Sequence, residues 1–327
     1  MATGYETPFG LTALTEAINL APFKPYRLGQ LGLFEEMGVA QTAVKVELLN
    51  GTLAIVSTAP RGATGQVVNG DKRKEVTFSI PHIPVLAGLE ADELQNVRMF
   101  GSENTSDSVL AARDRLLTKL RASLELTIES HRVGALKGLV LDADSSTLLN
   151  LNDAFGTQPQ TTGMVLLTAG TIVRTKVGAA ITQVETALGG IPYQSLRAFC
   201  GASFFDSLVS HPNVEKFWLN SPVSQGYAQA NPFQAIQFAG VIWERYRGVT
   251  GCLIGDTDAY LVPEGIPGLF ITRFGPANYV DSVNMVGTPL YARSEPRGMG
   301  KGFDIEAQTN PLNLCTRPNA VVKLTQT

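Results

Sequence analysis

Apolar residues along the chain follow two periods, and the longer one predicts the clearest element. Leu110, Leu117, Leu120, Leu124 and Ile128 recur at helical spacing and form one stripe. Thr105 to Asp107 are good N-cap types, so the spacing predicts a helix from about there to about Lys137. Roughly 30 helical residues span about 45 Å. Arg113, Arg115, Lys119, Arg121, Glu125, Glu129 and Arg132 line the remaining surface. Their mixed sign reads as a solvated face rather than a nucleic-acid stripe, and Arg121 and Glu125, one turn apart, pair weakly. Gly134 and Gly138 read as a fraying end. A second stripe, Val173, Val177, Ala180, Ile181, Val184 and Leu188, predicts a helix over Thr171 to Leu188, closed by Gly189-Gly190.

Period-two alternation marks a different region. Val44, Val46 and Leu48 alternate, as do Leu53 and Ile55, with Asn50-Gly51 between them. Asn-Gly supplies the positive φ angles of a tight hairpin turn. A glycine-rich loop runs from Pro60 to Asp71, and a basic strand follows from Lys72 to Ile80, with Val76, Phe78 and Ile80 on one face and Pro81 at its end. Such a β excursion has little core of its own, and a partner surface would explain it. Residues 1 to about 34, broken by Pro8, Pro22 and Pro25, read as an arm with one short helix over Leu11 to Leu20. Further on, Ser203 to Val209 reads as a helix and Phe238 to Arg245 as a strand, with Trp243 and Tyr246 as large anchors. Gly and Pro turns fill the chain beyond Gly248 until a closing strand at Val321 to Leu324.

Composition narrows the classes. The 327 residues are 44% hydrophobic, too apolar for a disordered chain, yet no run approaches the ~18 apolar residues of a membrane span. The opening MATGYETPFG has no basic region before an apolar core and reads as no signal peptide. A formal net charge of -3 argues against a dedicated nucleic-acid binder. Charged residues are only 17% of the chain, below the roughly 25% of an ordinary domain. Two readings fit that deficit: a surface rich in uncharged polar residues, or a surface buried against other subunits.

Candidate chemistry is sparse. Cys200, Cys252 and Cys315 stand singly and suit buried thiols in a reducing compartment. His82, His131 and His211 lack ligand partners at helical spacing. The 62–70 glycine loop lacks both GxGxxG and GK[ST] spacing and leads into a strand. Gly201-Ala202-Ser203 lacks the second glycine of a nucleophile elbow. The pairs Asp142/Asp144 and Asp256/Asp258 read as turn residues. The expectation is no enzyme, no cofactor and no metal.

Several segments carry a family signal by their order: Pro60-Arg61-Gly62; Lys72-Arg73 through Phe78 to Pro81-His82-Ile83; Val97-Arg98-Met99-Phe100-Gly101; Gly240 through Glu244-Arg245-Tyr246-Arg247-Gly248; Gly265-Ile266-Pro267-Gly268-Leu269-Phe270; Gly275-Pro276-Ala277; and Gln308 to Leu312 through Thr316-Arg317-Pro318. Together, over about residues 40 to 320, they resemble the lambda-type major capsid proteins of tailed bacteriophages. The resemblance implies the α+β Hong Kong 97 capsid fold. On that fold residues 1–39 are an N-terminal arm and 40–90 the extended loop. Residues 91–190 form a peripheral domain whose spine helix is about 105–137, 191–305 an axial domain, and 306–327 a return to the peripheral domain. It implies hexameric and pentameric capsomers closing into an icosahedral shell around DNA held without sequence-specific binding. It also implies a scaffolding protein, supplied separately, a portal, and room for a decoration protein at three-fold positions. The place of work is the virion, after assembly in the host cytoplasm, with no membrane. Arg61, Lys72, Arg73, Lys74, Phe78, Arg121, Glu125 and Arg317 are the candidate intersubunit contacts; the alternative for the charged ones is simple solvation. An encapsulin-like compartment shell is the second reading, and a soluble α/β enzyme with a dispersed site the third.

Overall fold

The computed structural model describes residues 10–22, 26–49, 73–94, 109–219, 235–248 and 254–327. The helices are α1 (Leu11–Leu20), α2 (Arg27–Leu31), α3 (Ala91–Leu94), α4 (Val109–Lys137), α5 (Leu151–Phe155), α6 (Val173–Leu188), α7 (Ala202–Val209) and α8 (Pro212–Leu219). The strands are β1 (Glu35–Gly38), β2 (Ala43–Leu49), β3 (Arg73–Ser79), β4 (Ile83–Glu90), β5 (Leu139–Leu141), β6 (Thr147–Asn150), β7 (Gln160–Gly163) and β8 (Ser195–Cys200). They continue with β9 (Ala235–Phe238), β10 (Val241–Arg245), β11 (Asp258–Glu264), β12 (Phe270–Phe274), β13 (Tyr291–Pro296), β14 (Gly302–Thr309), β15 (Pro311–Cys315) and β16 (Val322–Thr325). The chain divides into two compact units: Met1–Val44 with Phe78–Ser130 and Ile271–Asn313, and Lys45–Thr77 with His131–Phe270 and Leu314–Thr327.

In the first unit a three-stranded antiparallel sheet, ordered β13-β14-β4, carries the core on one face. Ala292, Ile305, Ala307, Val85 and Ala87 point inward, where the helical stripe Leu117, Leu120 and Leu124 meets them. The first member of the stripe, Leu110, is 42% exposed. The core reaches Leu116 and Leu117 but not Leu110. Helix α1 completes this core with Leu14 and Ile18, both fully buried. The N-terminal segment thus lies on this core through α1, whose bounds are those the sequence predicts. Asn19 donates to the Leu290 carbonyl at 3.0 Å, and Thr15 bonds Ala292. Arg121 binds the end of α1 by donating to the carbonyls of Ile18, Asn19 and Ala21 at 2.9, 2.6 and 2.8 Å. These are terminal carbonyls that lack helical partners, and a cation there also faces the negative end of the helix dipole. A second small sheet, β1-β12-β15, opens with the parallel pair β1 and β12.

The second unit is built on a mixed six-stranded sheet, β7-β16-β11-β8-β10-β9. Strand β8 is central, antiparallel to β11 and parallel to β10. Its Leu196, Ala198, Phe199 and Cys200 are buried. Helix α6 buries the predicted stripe Val173, Val177, Ala180, Val184 and Leu188, and Gly189 closes it at φ 63°. The predicted 238–245 strand is two strands, β9 and β10, joined at Ala239-Gly240, both with positive φ. Trp243 is buried, stacks on Phe204 at 6.2 Å, and donates its indole N–H to Phe238 O at 3.1 Å.

Two expectations for α4 fail for one physical reason. Glu129 and Arg132, placed on the solvated face by charge pattern, are buried, and Glu129 accepts the Leu28 N–H at 2.8 Å. Gly134 is no fraying end: a Cβ there would sit 2.9 Å from the Val140 backbone. The last turns are enclosed on all sides, so amphipathic logic no longer applies to them. The compact units also cut across the expected 91–190 and 191–305 segments. β13 and β14 pair with β4, whereas α6 packs under β16 and β11.

Arg121→Ala removes three charge-assisted bonds from the end of α1. The expected cost is about 2 kcal/mol in urea unfolding, with earlier proteolytic release of residues 1–20. Arg121→Lys, a single ammonium in place of the fork, recovers only part of it.

Candidate assembly surfaces

Strands β2 and β3 form a two-stranded sheet. Its root is fixed by the Ile80 N–H bonded to Thr42 O at 3.0 Å. Lys45 and Glu75 form a 2.6 Å ion pair between the strands, and that pairing raises the lysine's pKa. A bracket stands behind the root: His82 bonds the Asn310 side-chain oxygen at 2.8 Å, and the Asn310 amide donates to Pro276 O at 2.8 Å. Gly275 lies against Ile80, with 3.0 Å left for any Cβ. The Asn50-Gly51 turn, the 62–70 glycine loop, Arg61 and Lys72 lie outside the described residues. Arg73 and Lys74 open strand β3.

The other candidates are engaged within their own chain. Phe78 is 3% exposed, buried within its own chain. Arg121 serves α1, with Glu125 3.7 Å from its guanidinium. Arg317 donates to Leu188 O at 3.3 Å, at the end of α6. The structure thus brings Arg121 and Glu125 together.

Sequence reasoning missed a sheet face that gathers several charged side chains. Opposed residues of antiparallel strands share a face, and Leu86 and Arg293 both oppose Glu306, while Glu295 and Gly88 oppose Asp304. This face is the outer side of β13-β14-β4. Arg297 lies over Gly88, where a Cβ would come within 2.4 Å of its guanidinium. It bonds Asp304 at 2.8 Å and Glu90 at 2.5 Å, which together hold its proton more tightly than usual. Arg293 stands 5.4 Å over the Tyr279 ring and pairs with Asp281 at 3.3 Å. The Tyr279 hydroxyl donates to Glu306 at 3.0 Å, and burial together with that carboxylate pushes its pKa up. Period-two alternation in Leu86, Gly88 and Glu90 was the available signal. Beside this face, Val280, Val283, Met285 and Val286 are exposed on the loop before β13.

In the second unit Arg197 is shared between Glu244 at 2.7 Å and Glu264 at 2.5 Å, all largely buried. Cys200 and Cys315 are free and buried; burial pushes the first thiol well up and the second to about 12. Such thiols are poor nucleophiles. Cys252 lies outside the described residues. Asp142 and Asp144 form the β5–β6 turn, as expected. The carbonyls of Asp256 and Asp258 accept from Phe204 and Gly201 at 2.8 Å, holding the start of α7. Gly201 is required there because a Cβ would meet Gly255 O at 2.1 Å. Among the described residues no cluster of three His, Cys, Asp or Glu side chains is placed to hold a metal. No helix among them is long and apolar enough to cross a membrane.

The helix-covered three-stranded sheet, the mixed six-stranded sheet and the β2–β3 pair make the Hong Kong 97 capsid fold, shared with the putative capsid protein of an Escherichia coli CFT073 prophage. That structure aligns at a TM-score of 0.58 and 13% identity, over 97% of this chain and 99% of the other. The chain belongs to the phage major capsid protein E family, whose model matches residues 10–326. It is 28% identical to the major capsid protein of Pseudomonas phage KPP10, over 96% of each chain. It is 22% identical to that of Salmonella phage Felix O1, over 96% of this chain and 95% of the relative.

His131 gives this structure a pH signature. Burial lowers its pKa from 6.5, and the Asp142 carboxylate opposes that only in part. The unfolded chain therefore binds the proton more readily than the native one. Stability is full above about pH 6.5 and falls as pH drops below it. Thermal melts between pH about 7 and about 5 should show this slope, and His131→Gln should flatten it.

Proposed function

We propose that this chain is the subunit of a tailed-phage head, assembling into hexamers and pentamers that close into an icosahedral shell around DNA. The observation that carries the reading is the family match across residues 10–326. Its mechanism is association, with no catalytic step. The first compact unit acts as the peripheral domain and the second as the axial domain, with β2–β3 as the root of the extended loop. Arg61, Lys72, Arg73 and Lys74 are the loop's contacts with a neighbour, because the remaining candidates are engaged internally. A net charge of -3 leaves the shell without a general grip on DNA, so the packaged strand stays free to enter and leave. A separate scaffolding protein, a portal and a decoration protein at three-fold positions complete the reading, with assembly in the host cytoplasm.

Purified protein, expressed alone and with its scaffold, should give capsomer rings or closed shells by light scattering and negative-stain microscopy. A species of one chain mass, 35.0 kDa, under both conditions overturns the reading.

A further inference from the structure

Two exposed patches of the second unit lie toward opposite ends of α6. At its start, a groove of about 350 Å³ is lined by Arg174, Gly178, Phe217, Phe238, Ala239 and Gly240. Phe217 is half-exposed and meets Phe238 edge to face at 5.4 Å, so the groove has an aromatic floor. A Cβ at Gly178 would meet nothing within 4 Å, so the groove is open on the α6 side. No carboxylate lines it, and Arg174 is exposed with no ion-pair partner among the described residues. The groove is therefore apolar, with one uncompensated cation.

At the other end of α6, Arg317 bonds the Leu188 carbonyl, and the turn Pro318–Ala320 after it packs on both α6 and α5. The chain enters α5 directly from the β5–β6 hairpin. Leu139 and Leu141 share one face of β5, and both are exposed. Leu148, the extra residue of a bulge in β6, is exposed as well. The tip is fixed by bonds across it: the Asp142 N–H to Ser146 O at 2.9 Å, the Ser145 N–H to Asp142 O at 3.0 Å, and the Ser146 N–H to the Asp144 carboxylate at 2.9 Å. Asp142 and Asp144 are exposed, and neither pairs with a Lys or Arg among the described residues. The hairpin is thus an ordered apolar projection with an acidic tip, the complement of the groove in charge and in polarity. The 16 residues of α6 span about 24 Å, so one unit carries the two patches well apart. Unlike patches set apart on each copy join copies head to tail, and such a contact closes into a ring where the rotation allows.

We propose that the β5–β6 hairpin of one copy seats in the Arg174–Phe217 groove of a second copy of this chain. The inference rests on the shell reading and names one contact within it. Leu141 and Leu148 cover the Phe217–Phe238 floor, and Asp144 takes the Arg174 guanidinium. The apolar seat supplies the affinity, and the ion pair at its rim sets register and partner choice.

Charge reversal and cross-linking test it. Arg174→Glu and Asp144→Arg should each cut particle yield about tenfold, since each sets like charges against one another. The two changes in one chain should restore particles, because the pair is again opposite in sign. Melts matching the wild type confirm that each variant folds. Leu141→Cys with Gly178→Cys leaves both charges and the turn in place, and serves if Asp144→Arg does not fold. Oxidised with copper phenanthroline in assembled particles, that pair should give a ladder of linked chains on non-reducing gels that neither single cysteine gives. Unchanged yield in either charge variant, a combination no better than its parts, or particles whose cysteine pair leaves only single chains overturns the contact, while wild-type shells leave the shell reading standing. If the wild type itself forms no particles with scaffold present, the shell reading falls and this contact with it.

Discussion

One layer of helices over one face of a three-stranded sheet is the constraint from which the first unit follows. Leu117, Leu120 and Leu124 meet the inward residues of β13, β14 and β4, with Leu14 and Ile18 of α1 beside them. A sheet covered on one side keeps a bare second side, and alternation assigns to it the residues that cannot be buried. That is why Glu90, Arg293, Glu295, Asp304 and Glu306 stand together. Charge collects there as a consequence of burying the other face. Helix α1 closes the remaining edge of the core, and Arg121 couples that closure to α4 by bonding the last carbonyls of α1.

The second unit meets a different requirement. Its central strands are buried on both faces, so they read as runs of Leu, Ala, Phe and Val with few alternations. Polar groups within it are admitted only in compensated sets. Arg197 sits between Glu244 and Glu264, and breaking any of the three leaves a charge stranded in low dielectric. Gly201 shows the same economy of space: the start of α7 is pressed so near Gly255 that no side chain fits.

How much was legible in the sequence depended on whether a residue's neighbours were local. The stripes of α4 and α6, the closing strand and the Gly189 cap are properties of a few adjacent turns, and they were readable. So was the α+β Hong Kong 97 class, because its signal is the order of many short segments. What escaped depends on remote pairing. Glu129 looks solvated until the Leu28 N–H, a hundred positions earlier in the chain, bonds it. Gly134 looks like an ending until Val140 crosses it. Phe78 looks like an offered contact until its own core closes round it. The charged sheet face needed the register of β4 against the remote β14, which the alternation of Leu86, Gly88 and Glu90 marks on one strand but cannot pair.

The same charges bear on how such a subunit can assemble. An exposed ion pair contributes about 0–1 kcal/mol, so no single pair of that kind would hold two subunits together for long. That weakness is useful. A misplaced subunit leaves before the next arrives, whereas a subunit held at several faces at once stays, since linked contacts multiply. The rigid parts of the chain serve this by fixing where each weak patch points. The Ile80–Thr42 bond and the His82–Asn310–Pro276 bracket set the departure of the arm, and Arg297 over Gly88 sets the shape of the sheet face. Strength is thus placed inside each unit, where it preorganises the surfaces, and the contacts between copies are left individually reversible.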